Sequence, residues 1–281
     1  MATRPVTVPE ILRRKNLGEK ITALTAYDYN FAKLLDATDL DIILVGDSLG
    51  MVSLGQENTL SVTMDNMIYH TRAVKQGAKR ALVVSDMPFM SYQVSVEQAV
   101  TNAGRLIQDG GASAIKLEGG AIMADRVLTI TQAGIPVMGH IGLTPQSVHQ
   151  FGGYKVQGKN YLDSRKIKQD ASDLQSAGIF ALVLEGIPSE LGEEITSELK
   201  IPTIGIGAGA KCDGQILVLH DLLGLNQDFV PKFVKQYAQL ADNLKIAVTE
   251  FIEEVKTESF PSQEHIYHSK QGRLKQVNDG N

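Results

Sequence analysis

The sequence predicts a (β/α)8 TIM barrel with an N-terminal helix and a polar C-terminal tail. Three observations lead there. Eight short, β-branched apolar runs recur along the chain, segments of helical character separate them, and no Gly/Ser/Pro-rich linker or composition break divides the 281 residues. Runs that are apolar on both faces suit parallel strands covered on both sides. Strands alternating with helices imply right-handed crossovers, and eight such units can close on themselves.

In chain order, Thr7 and Glu10 form a candidate capping box with Pro9 in the first turn, so a short helix is expected through about Lys15. The strand candidates are 21–26, 41–46, 81–85, 113–117, 135–139, 180–184, 201–206 and 216–219. Helical segments between them include 95–108, where Val96, Ala99, Val100, Ala103 and Leu106 fall at helical spacing, and also 163–176 and 189–199. A long last helix is expected over 231–256, with Phe233, Tyr237, Leu240, Leu244, Val248, Phe251 and Val255 close to one stripe. The pattern gives a single catalytic-size barrel domain over 1–260 and a polar tail over 261–281. An open doubly wound sheet remains the structural alternative, although Gly205-Ile-Gly-Ala-Gly209 comes late and lacks the dinucleotide spacing.

The ends of the strands carry the chemistry. Asp28 follows the first, Asp47 and Ser48 the second, and Asp86 the third. Lys116 lies within the fourth and Glu118 ends it; His140 ends the fifth, Glu185 the sixth, and His220 with Asp221 the last. Barrel enzymes place their reactive groups at this end. A single acid there is commonly a helix cap, whereas so many ionisable groups at one mouth are harder to explain as caps. Lys116 and Glu118 are two apart and share a face, so both point to the axis if one does, with Ile115 and Leu117 toward the helices. Lys116 is then a buried cation, in a structural pair with an acid or facing an anionic substrate group. Asp47, Asp86 and Glu118 supply hard oxygen ligands suited to Mg2+; zinc would want more His or Cys, and only His140 qualifies. Glu185 ends the apolar run Ala181-Leu-Val-Leu, where desolvation would raise its pKa and suit it to proton abstraction.

Composition removes other classes. Acidic residues exceed basic ones, 32 to 27, with no basic stripe, which speaks against nucleic-acid binding. No run of about 18 apolar residues suggests a membrane span. The opening residues lack an apolar signal core, and Cys212 is the only cysteine, so a reducing, cytoplasmic setting is expected. Cys212 has no second cysteine or His–Cys motif nearby and reads as structural. His70 and His149 read as surface or packing residues, and His265 and His268 lie in the tail without a metal-site pattern.

The chain resembles the ketopantoate (3-methyl-2-oxobutanoate) hydroxymethyltransferase family from about Thr7 to about Phe260. The resemblance rests on Thr25-Ala-Tyr-Asp28, Val45-Gly-Asp-Ser-Leu-Gly50, Ser85-Asp-Met-Pro-Phe89, Lys116-Leu-Glu-Gly-Gly120, Gly139-His-Ile-Gly-Leu-Thr-Pro145, Leu184-Glu-Gly-Ile-Pro188 and Gly205-Ile-Gly-Ala-Gly209 with Cys212-Asp-Gly-Gln215. It implies a barrel that binds one Mg2+ per subunit through Asp47 and Asp86, with Glu118 on or close to the metal. It implies substrate contacts from Asp47, Ser48, Asp86 and Lys116, Glu185 as the catalytic base, and His140 in an active-site motif with its role open. The reaction it implies moves a hydroxymethyl group from 5,10-methylenetetrahydrofolate to 3-methyl-2-oxobutanoate in pantothenate biosynthesis, in a homo-oligomer, typically a decamer. Three other readings stand beside this one: a Mg2+-dependent 2-oxo-acid lyase or mutase of the phosphoenolpyruvate mutase and isocitrate lyase type, Schiff-base aldol chemistry through Lys116, and a non-catalytic scaffold or folate-binding subunit.

Overall fold

A computed structural model describes residues 4–227 and 230–268. Eight parallel strands, β1 (Ile21–Thr25), β2 (Ile42–Val45), β3 (Leu82–Asp86), β4 (Ala114–Glu118), β5 (Val137–Gly142), β6 (Ala181–Glu185), β7 (Thr203–Ile206) and β8 (Gly214–Leu217), pair in sequence order and close with β8 against β1. Closure rules out the open-sheet alternative. The α-helices are α1 (Val8–Leu17), α2 (Tyr29–Asp36), α3 (Leu49–Val52), α4 (Met64–Gly77), α5 (Val96–Gln108), α6 (Ala124–Gln132), α7 (Val148–Phe151), α8 (Tyr161–Ser176), α9 (Ser189–Glu198), α10 (Leu219–Leu222) and α11 (Leu240–Lys256).

Strand alternation sorts side chains into two apolar layers. Ile42, Leu44, Leu82, Val84, Ala114, Met138, Ala181, Val183 and Ile204 fill the barrel interior, joined by Val6 and Ile11. Ile43, Val45, Val83, Ile115, Leu117, Ile141, Leu182 and Leu184 face outward into the layer that the helices cover. Each such aliphatic burial is worth roughly 1.5–3 kcal/mol, so the register is strongly specified: a one-residue slip would exchange the two layers. Asp86, Lys116, Glu118, His140 and Glu185 continue the inward-facing rows of their strands. They therefore form the top layer of the interior.

Local signals fix the helix starts. The Ser95 side chain accepts from the Gln98 N–H, and Asn160 from Asp163. Thr63 and Asn66 cap α4 reciprocally. The capping box expected at Thr7 and Glu10 does not form: Thr7 makes no side-chain cap bond, and the Glu10 carboxylate is held instead by Arg13 at 2.7 Å and approached by Arg14 at 3.6 Å. Four strands also extend further than expected. β3 takes in Asp86, β4 Glu118 and β6 Glu185, while β5 runs on past His140, so these side chains sit on regular strand backbone. β8 begins two residues early, at Gly214, where an added Cβ would collide with the Ile21 carbonyl of the adjoining strand.

The last helix begins at Leu240, not at residue 231. Residues 230–239 turn back onto α10 instead, with the Tyr237 N–H donating to the Leu222 carbonyl at 2.8 Å and the Leu240 N–H to that of Leu223 at 2.9 Å. Phe233 lies against Gly207, where an added Cβ would stand 2.9 Å from its ring. α11 buries none of its residues. Of the expected tail, residues 269–281 lie outside the described residues. Among the described residues, no helix is long and apolar enough to cross a membrane.

Candidate active site

The mouth is assembled from the top inward-facing residues of β3 to β6 and the loop after β2. β2 ends at Val45, and Gly46 lets the chain turn closely over the barrel: a Cβ there would stand 2.7 Å from Ser48 Oγ. The turn aims the Asp47 N–H at Asp86 Oδ2, 3.0 Å away, and places the Ser48 hydroxyl 2.8 Å from that of Tyr27. The second Asp86 oxygen, Oδ1, lies 3.1 Å from Lys116 Nζ as an ion pair, without hydrogen-bond geometry. Lys116 Nζ is also 3.3 Å from His140 Nδ1. The imidazole bridges two acids, with Nδ1 3.4 Å from Glu118 Oε1 and Nε2 3.2 Å from Glu185 Oε2. Its Nε2 makes no hydrogen bond of good geometry.

The seven residues expected at the site thus converge. Asp47, Asp86, Lys116, Glu118 and His140 are buried. Glu185 sits at the lip with 15% of its side chain exposed. Its surroundings are ionic, through His140, rather than the apolar pocket its preceding run suggests. Others stay apart. The Asp28 side chain caps α2 by accepting from the Phe31 N–H at 3.0 Å. His70 holds the Tyr27 carbonyl at 2.6 Å, Cys212 is free and buried, and His149 is exposed. His220 packs against the rings of Tyr27 and Phe31.

Three residues at the mouth escaped sequence reasoning. Gln146, in the 3-10 turn after β5, donates through Nε2 to Asp47 Oδ2 at 2.9 Å, and its backbone N–H donates to Glu118 Oε2 at 3.0 Å. Tyr92 is fully buried beside it, its hydroxyl 2.7 Å from Gln146 Oε1. Tyr154 lies in the loop after α7, close enough for the acids of the mouth to act on it. Burial raises its pKa, and Asp47, Glu185 and Glu118 raise it further. The available signal was position: Gln146 directly follows the run Gly139 to Pro145.

Electrostatics explain why these groups tolerate burial. Burial favours a neutral Lys116 amine, but Asp86, Glu118 and Asp47 outweigh that and push its pKa up, so it is a cation. Burial and Lys116 depress the His140 pKa, yet Glu118 and Glu185 raise it to about 9. Glu118 is held below the ordinary range, because His140, Lys116 and the Gln146 N–H outweigh its burial. Asp47 is pushed well up by burial and by the negative charge of Asp86 and Glu118. Asp86 is also raised by burial, with Lys116 opposing. Four carboxyl groups face only two cationic ones, Lys116 and His140, and this crowding is part of what raises Asp47 and Asp86. A divalent cation would restore balance. Among the described residues no three His, Cys, Asp or Glu side chains surround one point; Asp47 and Asp86 are the neighbouring pair, with Glu118 tied to Asp47 through Gln146. Such a site can take an anionic small molecule beside a cation and move a proton at Glu185.

Residues 5–263 match the family model described as ketopantoate hydroxymethyltransferase. The 3-methyl-2-oxobutanoate hydroxymethyltransferase of Pelobacter propionicus is 57% identical over 265 residues, which cover 94% of this chain and 98% of that one. Among solved structures, a phosphonopyruvate hydrolase in complex with oxalate and Mg2+ superposes with a TM-score of 0.60 at 13% identity, covering 92% of this chain and 93% of its own. A 2,3-dimethylmalate lyase of the phosphoenolpyruvate mutase and isocitrate lyase superfamily gives 0.59 at 14%, covering 94% and 92%. At these identities the two structures share the fold alone.

Proposed function

The chain belongs to the ketopantoate hydroxymethyltransferase family and is an enzyme, a hydroxymethyltransferase, and on that premise we propose that it transfers a hydroxymethyl group from 5,10-methylenetetrahydrofolate to 3-methyl-2-oxobutanoate, giving 2-dehydropantoate in pantothenate biosynthesis. The observation that carries this reading is the pairing of a buried anionic cluster, Asp47 and Asp86, with the buried cation Lys116, while Glu185 stands at the lip beside His140.

The donor set fits Mg2+. The Asp47 backbone N–H binds Asp86 Oδ2, both residues are buried, and Asp86 and Glu118 crowd Asp47 with negative charge that a cation would relieve. Mg2+ is commonly held by one or two carboxylates with its other positions left to water and substrate. Asp47 and Asp86 would hold it, with Glu118 close by. When bound, the ion supplies Lewis-acid stabilisation for negative charge developing on the 2-oxo oxygen. Lys116 pairs with the substrate carboxylate, and the Ser48 hydroxyl, steadied by Tyr27, borders the same place. Glu185 takes the C3 proton, and His140 keeps its carboxylate aimed inward. Water releases the one-carbon unit as formaldehyde, breaking its two C–N bonds and leaving tetrahydrofolate; the carbon nucleophile adds to that carbonyl, and the new alkoxide takes back the proton held by Glu185. That unit is already at the aldehyde oxidation level, so no oxidant is needed. Tight pairing of Lys116 with Asp86 speaks against Schiff-base chemistry, because an ammonium held in an ion pair is not a nucleophile. The family match favours this reading over the lyase or mutase alternative, which shares only the fold. Homo-oligomerisation, as a decamer, and a cytoplasmic setting belong to the same proposal; the exposed Leu244, Val248 and Phe251 on α11 support the former.

The test is deuterium exchange at C3 of 3-methyl-2-oxobutanoate, followed by NMR without folate. Exchange with Mg2+ that stops in EDTA is the expected result. Glu185→Gln should slow it by about 10²–10⁴-fold while substrate binding stays nearly intact. Equal loss of exchange and binding removes Glu185 as the base, and exchange indifferent to EDTA removes the metal.

A further inference from the structure

Gln146 has every hydrogen-bonding position of its amide occupied. Oε1 lies 2.7 Å from the Tyr92 hydroxyl and 3.2 Å from Gln93 Nε2. Nε2 lies 2.9 Å from Asp47 Oδ2 and 3.0 Å from the Met87 carbonyl. The assignment cannot be reversed, since a flipped amide would aim its oxygen at a carboxylate and a carbonyl, two acceptors. Tyr92 is fixed in turn: the Glu118 N–H donates to its hydroxyl oxygen at 3.1 Å, and of the hydroxyl's two acceptors Gln146 Oε1, at 2.7 Å, is nearer than the Glu118 carbonyl, at 3.1 Å. The Gln146 backbone N–H holds Glu118 Oε2 at 3.0 Å. One buried residue thus grips two carboxylates of the mouth, and its partners come from the loops after β2 and β3 and from β4. Among the described residues no hydrogen bond reaches Asp47 Oδ1, the oxygen that Gln146 leaves free.

We propose that Gln146 is a positioning residue: its amide, locked by Tyr92, holds Asp47 through Oδ2 so that Asp47 Oδ1 is kept turned toward a divalent cation. The inference rests on the metal reading given under the proposed function. A carboxylate free to rotate would present its oxygens in many orientations, and ordering it would then oppose binding. Partners of this kind typically contribute 10–100-fold to metal affinity.

The experiment uses the full-length chain and Mn2+ as the probe, with free Mn2+ followed by electron paramagnetic resonance. Gln146→Met keeps the bulk and removes both side-chain bonds to Asp47 and Met87; its Mn2+ affinity should fall by about 10–100-fold. Tyr92→Phe removes one hydroxyl and should weaken Mn2+ binding in the same direction by less. Gln146→Glu keeps the shape but turns an acceptor toward Asp47, so it should fail as the Met variant does. A Gln146→Glu protein with wild-type Mn2+ affinity would show that only bulk matters and would overturn the proposal. Wild-type affinity in a folded Gln146→Met or Tyr92→Phe protein would do the same, and if the Met variant does not fold the Phe variant decides. Wild-type protein that binds no Mn2+ overturns the metal reading itself, so the two failures are distinct.

Discussion

Replacing Lys116 with Met tests the charge balance of the mouth directly. Lys116 and Asp86 have side chains only 6% and 3% exposed, with Nζ 3.1 Å from Oδ1. Unit charges at that distance attract by on the order of 5 kcal/mol at an effective dielectric near 20. Desolvation takes back part of this, and removing one partner of a buried pair costs about 3–5 kcal/mol, because the other charge is left uncompensated. The loss should depend on pH. Without Lys116 the Asp86 carboxyl stays raised by burial, so the folded variant binds a proton that the unfolded chain does not. Its stability then falls as pH rises, and the gap to the wild type is widest near pH 8 and narrows toward pH 5. Urea unfolding in EDTA, followed by far-ultraviolet circular dichroism, measures it. A difference below about 1 kcal/mol at pH 8, or a gap that does not change with pH, would refute the view of Lys116 as the buried counter-ion of Asp86.

His140 should titrate near pH 9 in metal-free protein, read from its ring protons by NMR. Because the folded pKa is raised above 6.5, its contribution of about 3 kcal/mol is fully present below pH 6.5 and is lost as pH rises through 9; titration near 6.5 would contradict the bridging geometry. Gly142 has φ +96, and a Cβ there would collide with the Glu185 carbonyl oxygen. Gly142→Ala should therefore cost about 1–3 kcal/mol in thermal unfolding and slow C3 exchange while leaving Mn2+ affinity unchanged, and a wild-type exchange rate would refute the link to Glu185.

All eight strands were legible in the sequence, because strands covered on both faces are largely apolar below their polar ends and β-branched residues mark them. The parity of Lys116 and Glu118 was legible for the same reason, since a period of two leaves no choice of face once one residue is placed. Periodicity misled at 231–239. Phe233 and Tyr237 continue the stripe of α11, but their backbone groups bind the end of α10 instead, a tertiary preference that no helical pattern records. Glu10 was a capping partner by spacing and an arginine partner in fact, because two guanidinium groups lie within its reach. Gln146 and Tyr92 were not legible, since neither carries charge and a turn offers no period to read; only three-dimensional accounting of their hydrogen bonds brings them out.

Closing the sheet between its first and last strands has a consequence in time. Ile21 cannot find Gly214, nor Thr22 find Gln215, until synthesis has passed residue 215. The same seam joins Lys15 to Asp213 and the Thr25 hydroxyl to the Leu219 N–H. A growing chain therefore carries two open parallel edges until β8 is made, and such edges invite pairing with neighbouring copies. The groups proposed for metal, substrate and base lie between residues 47 and 185, so they are all made well before the ring can shut. Completion of β8 is thus the event that both removes the exposed edges and draws the earlier-made mouth into one ring.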